Sequence, residues 1–218
     1  MTEVRMNQHY RIMPIAIAAL LVAGCGSEER TVDVDPPGRE NASAKTMAMT
    51  DEPSRTRETG EPVLVARAEL EPTEGNDARG MVKFSRAAGA VVIDGRVMGL
   101  TPGPHGLHIH EKGDCSAPDG TSAGGHFAPD GDPHGSPDSP PSQHHVGDLG
   151  NIVANEQGIA LVDVVDAEMT LDDGPKSVLG RAVIVHSGAD DFTTQPTGNA
   201  GSRVACGVIT EVSRVDEP

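Results

Sequence analysis

Seven of the nine histidines fall between residues 105 and 148. The run opens with His105-Gly-Leu-His108-Ile-His110, passes through His126 and His134, and closes with His144-His145-Val-Gly-Asp148. Imidazole is a common ligand for zinc and copper, so a cluster of this density reads as metal chemistry. A further histidine, His186, ends the apolar run Val183-Ile-Val, which can return it to the same place. Residues two apart on a strand share a face, so His108 and His110 point one way and His105, Leu107 and Ile109 the other. Three imidazoles and a carboxylate, from His126, His134, His145 and Asp148, suit tetrahedral zinc. Four imidazoles, from His108, His110, His126 and His186, suit a redox-active copper, and His126 then serves both sets. His105 has the wrong parity for the metal face and reads as structural. His144 lies beside His145, and the Val-Gly-Asp that follows favours His145 as the ligand.

Positioning such a cluster calls for a rigid scaffold with loops. The chain has no Trp, one Tyr and three Phe, so its core must be built from Val, Ile, Leu and Ala, while 26 Gly and 17 Pro supply many turns. Short apolar or alternating runs recur at Val63–Leu70, Gly80–Arg86, Ala90–Val97, His105–His110, Val146–Ala154, Ile159–Val165, Arg181–Val185 and Arg203–Val212. Eight strands separated by turn signals imply an all-β, eight-stranded Greek-key barrel or sandwich. Asp172-Asp173-Gly174 fits a turn better than a calcium loop, because no further carboxylates follow at the required spacing. Two long segments, about 111–145 and 187–202, break the rhythm, and loops of that length are usually functional.

The amino-terminal region has another purpose. Arg5 and Arg11 precede an apolar run that ends in Leu21-Val22-Ala23-Gly24-Cys25. The run is short for a membrane span, and its ending resembles a bacterial lipobox, in which the cysteine is lipidated. Met6 offers a second start that gives a conventional short basic head. Residues 26–60 lack hydrophobic periodicity and cannot bury enough apolar area to offset their chain entropy, so they read as a flexible linker. The expected organisation is a signal peptide over 1–25, a linker over 26–60 and one domain over 61–215. Three cysteines then divide into Cys25 and a remaining pair, in an export route where a disulfide can persist. The expected location is the cell envelope, facing the periplasm or the exterior, with membrane contact only through Cys25. The formal charge of -16 argues against nucleic acid. It also means that an anionic substrate would need a local cationic field.

Taken together, His105-Gly-Leu-His108-Ile-His110-Glu, Gly113-Asp-Cys115, Gly124-Gly-His126-Phe127, His145-Val-Gly-Asp148-Leu-Gly-Asn151, Val185-His186, Ala189-Asp190-Asp191 and Gly198-Asn-Ala-Gly-Ser-Arg203-Val-Ala-Cys206-Gly resemble copper/zinc superoxide dismutase. The resemblance covers about residues 63–212 and implies an enzyme that converts superoxide to dioxygen and hydrogen peroxide. It implies copper on His108, His110, His126 and His186, and zinc on His126, His134, His145 and Asp148, with His126 as the bridge. It further implies a supporting carboxylate at Asp190, an anion-orienting Arg203 and a Cys115–Cys206 disulfide. Monomer and homodimer both remain compatible with it. Two departures stand out: an unusual Ser/Pro-rich segment between His134 and His145, and a short loop at 187–202 without Lys or Glu. A non-catalytic metal-binding lipoprotein is the rival reading. It needs neither the arginine nor the shared imidazole.

Overall fold

The computed structural model describes residues 63–212. Cys25, both candidate start methionines and the 26–60 linker lie outside the described residues, as do the outermost residues of the expected 61–215 domain. Eight strands follow in order: β1 (Val63–Pro72), β2 (Arg79–Ala87), β3 (Ala90–Met98), β4 (Gly103–His110), β5 (Asp148–Ala154), β6 (Ala160–Asp166), β7 (Ala182–His186) and β8 (Arg203–Glu211). The apolar runs in the sequence locate all eight, with ends displaced by one or two residues. Among the described residues the only helical elements are two short 3₁₀ turns, Thr121–Ala123 and Pro141–Gln143, both in the first long loop. No described helix is long and apolar enough to cross a membrane.

All strand pairs are antiparallel, in the order β5-β4-β7-β8-β1-β2-β3-β6. The two end strands, β5 and β6, are joined by the tight Asn155–Ile159 turn, so the sheet curls into a nearly closed Greek-key barrel. Inward residues alternate as a pleated strand requires. Ala66, Ala68 and Leu70 of β1 meet Val82 and Phe84 of β2, Ile93 and Val97 of β3, Leu107 and Ile109 of β4, and Val183 and Val185 of β7. With few aromatics available, β-branched side chains fill the interior.

Strands β4 and β7 and the starts of β5 and β8 have both faces covered. Their second face carries His108, His110, Ile184 and Cys206, and the loop residues Ala123 and Cys115 lie over it. Burial on both faces explains why Ala182, Val183, Ile184 and Val185 read as a continuous apolar run rather than an alternating one. The site therefore sits outside the barrel wall, under the two long loops. Phe84 is fully buried among branched aliphatic neighbours. Phe84→Ala is expected to lower the unfolding free energy of the metal-free protein by about 3–5 kcal/mol, measured by urea denaturation.

Candidate metal centre

Every expected metal residue is buried. His108 and His110 are fully buried, and His126, His134, His145, Asp148, His186 and Asp190 lie between 1% and 7% exposed. The structure gathers them into two groups, His108–His110–His126–His186 and His126–His134–His145–Asp148, each with its potential ligand atoms within 4.8 Å of one another. His126 is common to both. Strand β4 supplies His108 and His110, the end of β7 supplies His186, and the first long loop supplies the rest up to Asp148 at the start of β5.

One nitrogen of most rings is fixed by the protein, and the other is free. His108 Nε2 bonds Asp190 Oδ2 at 2.7 Å, His110 Nδ1 donates to the Gly124 carbonyl at 3.0 Å, and His186 Nδ1 contacts the Gly201 carbonyl at 3.3 Å. His134 Nε2 bonds the other Asp190 oxygen at 2.9 Å. Such contacts set the tautomer and aim the remaining nitrogen. The remaining nitrogens, His108 Nδ1, His110 Nε2, His126 Nε2, His134 Nδ1 and His186 Nε2, are buried without hydrogen-bond partners. An unsatisfied buried polar atom costs folding free energy, so five in one place mark a site shaped for something else.

The second group converges in the same way. Asp148 Oδ1 lies 2.8 Å from His126 Nδ1, 3.0 Å from His134 Nδ1 and 3.3 Å from His145 Nδ1, and the His126 and His145 Nδ1 atoms are 3.4 Å apart. The His134 approach is short but lacks hydrogen-bond geometry, as expected of atoms aimed at a common point rather than at each other. Ligands at zinc–nitrogen distances on a tetrahedron stand about 3.3 Å apart. The donor types and spacing fit copper in the first group and zinc in the second.

Burial dominates the titration of His110, His126 and His186. It pulls His110 down to about 2 and His186 down to about 3, helped by neighbouring histidines and Arg203. His126 falls to about 4, because burial outweighs its bond to Asp148. For His134 burial acts in the same direction, but Asp148 and Asp190 together overcome it and raise the ring to about 9. Burial disfavours the ionised forms of Asp148 and Asp190, yet their histidine partners hold both carboxyls well below the usual range.

The other residues singled out in the sequence have distinct places. Arg203 is half-buried, with its guanidinium donating to the Gly120 carbonyl at 2.6 Å and the Gly124 carbonyl at 2.5 Å. Gly124 thus joins His110 and Arg203 through one carbonyl, in a positive-φ conformation that suits glycine. Cys115 and Cys206 form a disulfide across 91 residues, between the first long loop and β8. His105 stays out of both groups. Its Nδ1 lies 2.7 Å from the His186 carbonyl and its Nε2 2.8 Å from the Thr101 carbonyl. His144 turns away as well, with Nε2 3.2 Å from Glu168. The turn at Asp172 pairs with Arg86.

Some supporting residues gave no signal of their role in the sequence. Asn151 grips the Asp190 peptide from both sides, at 2.8 and 2.9 Å. Gly198, at φ +64°, leaves no room for a Cβ because the Asp190 carboxylate and the His134 ring lie against it. Gln195 contacts the main chain of His134. Only a three-dimensional arrangement connects these residues to the histidines.

The titration pattern gives the metal-free protein a defined stability profile. His110, His126 and His186 have folded values below the ordinary 6.5, so the unfolded chain binds protons that the folded chain refuses. Their contribution is complete above pH 6.5 and is lost as pH falls toward their folded values. Each costs about 1.4 kcal/mol per pH unit in that window. Asp148 and Asp190 add to the loss below their ordinary 3.8. His134 acts oppositely: its contribution is complete below 6.5 and is lost as pH rises through about 9. Urea midpoints of metal-free protein are therefore expected to peak near pH 6.5 and fall more steeply on the acid side. A flat profile between pH 4 and 6.5 would contradict this account.

Comparison with known proteins agrees with this geometry. The family described as copper/zinc superoxide dismutase (SODC) matches residues 78–209. An extracellular superoxide dismutase [Cu-Zn] of Brugia pahangi is 40% identical over 163 residues, covering 70% of this chain and 79% of the relative. The crystal structure of the clock protein EA4 is similar with a TM-score of 0.61 and 42% identity, covering 68% of this chain and 94% of that one. With the family match spanning residues 78–209 and two buried histidine groups fitted to copper and zinc, the chain belongs to the copper/zinc superoxide dismutase family.

Proposed function

We propose that His108, His110, His126 and His186 hold copper, that His126, His134, His145 and Asp148 hold zinc, and that His126 bridges the two metals during superoxide dismutation. The observation that carries this assignment is His126 itself. Its Nδ1 stands among the second group of donors while its Nε2 is buried without a partner, and the ring belongs to both groups. Bound copper supplies the one-electron exchange by which one superoxide leaves as dioxygen and a second, with two protons, as hydrogen peroxide, while zinc, with a filled d shell, supplies charge and orientation.

The chain's residues do the remaining work. His126 Nε2 would take up a proton in the half-reaction that releases dioxygen and give it to the product of the other, the second proton of hydrogen peroxide coming from water. Asp190 keeps the Nδ1 atoms of His108 and His134 free by occupying the opposite nitrogen of each ring. Arg203 attracts the substrate anion and orients it. Its two carbonyl contacts fix the guanidinium plane, and its charge acts locally against the acidic whole.

Outside the barrel, residues 1–25 act as a lipoprotein signal peptide, Cys25 carries the lipid, and residues 26–60 tether the 61–215 domain. The secreted character is supported by the extracellular relative and by the disulfide. Anchored in this way, the enzyme protects the cell envelope from superoxide. It acts as a monomer or homodimer.

Metal analysis of purified protein is expected to find one copper and one zinc per chain, with dismutase activity. His126→Ala should lose activity together with the coupling between the two metals. Stoichiometric metals without activity in the wild type would instead favour a metal-binding lipoprotein. Arg203→Gln is expected to keep both metals, to lower kcat/KM about 10- to 100-fold and to flatten its dependence on ionic strength. Cys25→Ser should move the protein from the membrane fraction to the soluble fraction, and mass spectrometry of the wild-type amino terminus would show the lipid directly.

A further inference from the structure

Residues 187–202 contain no Lys or Glu, so the loop offers no cationic steering of its own. It does send one side chain to the first long loop. Gln195 Oε1 accepts from the His134 main-chain N–H at 2.9 Å, and Gln195 Nε2 donates to the His134 carbonyl at 2.8 Å. A carboxamide carries one acceptor and two donors, so it can match both main-chain groups of a single residue, as a neighbouring strand would.

His134 needs such a partner. It lies between β4 and β5, outside any strand, and is flanked by Pro133 and Gly135. No sheet ladder fixes its backbone. Its ring is held at Nε2 by Asp190, which leaves Nδ1 buried and unpaired. The second loop thus holds His134 twice, by the ring through Asp190 and by the backbone through Gln195.

Gln195 is itself held in place by local bonds. The Asp191 carboxylate accepts from the Thr193 and Thr194 N–H groups at 2.9 and 2.8 Å and from the Thr194 hydroxyl at 2.6 Å. The Gly198 N–H donates to the Thr194 carbonyl at 2.7 Å, and the Asp191 N–H to the Gly198 carbonyl at 2.9 Å. Residues 191–198 therefore close on themselves around Gln195, and the side chain projects from a fixed turn.

The geometry points to Gln195 as a positioning residue of the zinc site, one that brackets the His134 peptide so that Nδ1 is presented to zinc, and ties zinc retention to the second loop. This rests on the assignment of His134 as a zinc ligand. Gln195 lies outside both groups of donors, at the exposed surface of the loop. Its loss should release one ligand locally without unfolding the barrel.

The test is zinc affinity by competition with a chromophoric chelator, on full-length metal-free protein, for wild type, Gln195→Met, Thr197→Ala and His134→Ala. Copper binding and the thermal midpoint of the metal-free protein are followed in parallel. Gln195→Met preserves side-chain length and removes both bonds. It is expected to weaken zinc binding about 10- to 100-fold, the range seen when partners of metal ligands are lost. Copper binding and the metal-free midpoint should stay at wild-type values, and Thr197→Ala, which changes a side chain of the same loop that bonds neither Asp191 nor His134, should leave zinc affinity unchanged. Wild-type zinc affinity in Gln195→Met overturns the role. So does a parallel loss of copper binding and metal-free stability, which would mark a general structural defect. If His134→Ala retains wild-type zinc affinity, the ligand assignment beneath the inference fails. If His134→Ala loses zinc and Gln195→Met does not, only the positioning role falls.

Discussion

The Asp190 carboxylate is the constraint on which the centre depends. One oxygen takes the far nitrogen of His108, on a barrel strand, and the other takes that of His134, in a loop. A single buried charge thereby fixes two rings from elements that share no backbone pairing, and Asn151 holds the peptide of Asp190 in turn. Burying a carboxylate is unfavourable unless its lone pairs are filled. Here the partners that fill them are the same imidazoles that need orienting, so satisfying the charge and aiming the rings are one event.

The barrel contributes a wall rather than a cavity. Strands β4 and β7 face the aliphatic core on one side and the histidines on the other, which gives His108, His110 and His186 the rigidity of a sheet. The remaining donors come from a loop without strands, and their precision is borrowed: from Asp148 at the start of β5, from Asp190, and from Gln195. The two kinds of support divide along the two groups of donors. His126 stands where they meet, forming an isolated bridge with His110 of β4.

The legible part of the molecule was the part governed by local rules. Alternation and turn residues located all eight strands, and strand parity separated His108 and His110 from His105. Parity works because the pleat has a period of two whatever the rest of the chain does. Loop residues obey no such rule. That the His145 ring, and not the His144 ring, would turn inward rested on the Val-Gly-Asp that follows it rather than on periodicity, and Gln195 was an ordinary polar residue in an acidic loop. Its partner is a backbone 61 residues away, and a main-chain partner leaves no mark on the sequence. The role of Gly198 was hidden in the same way, since its close neighbours are the side chains of His134 and Asp190.

The Cys115–Cys206 disulfide constrains the unfolded oxidised chain as well as the fold. It closes a ring with a sequence separation of 91. Constraint of that size removes about 4–5 kcal/mol of loop-closure entropy from the denatured ensemble in the chain-entropy model. The ring contains His126, His134, His145, Asp148, His186, Asp190 and Arg203, and His110 lies just before its first cysteine. An oxidised unfolded chain therefore already confines nearly the whole centre to one tethered volume. The bond pre-concentrates the ligands for one another, so that assembly of the centre becomes a search within a ring rather than along an open chain.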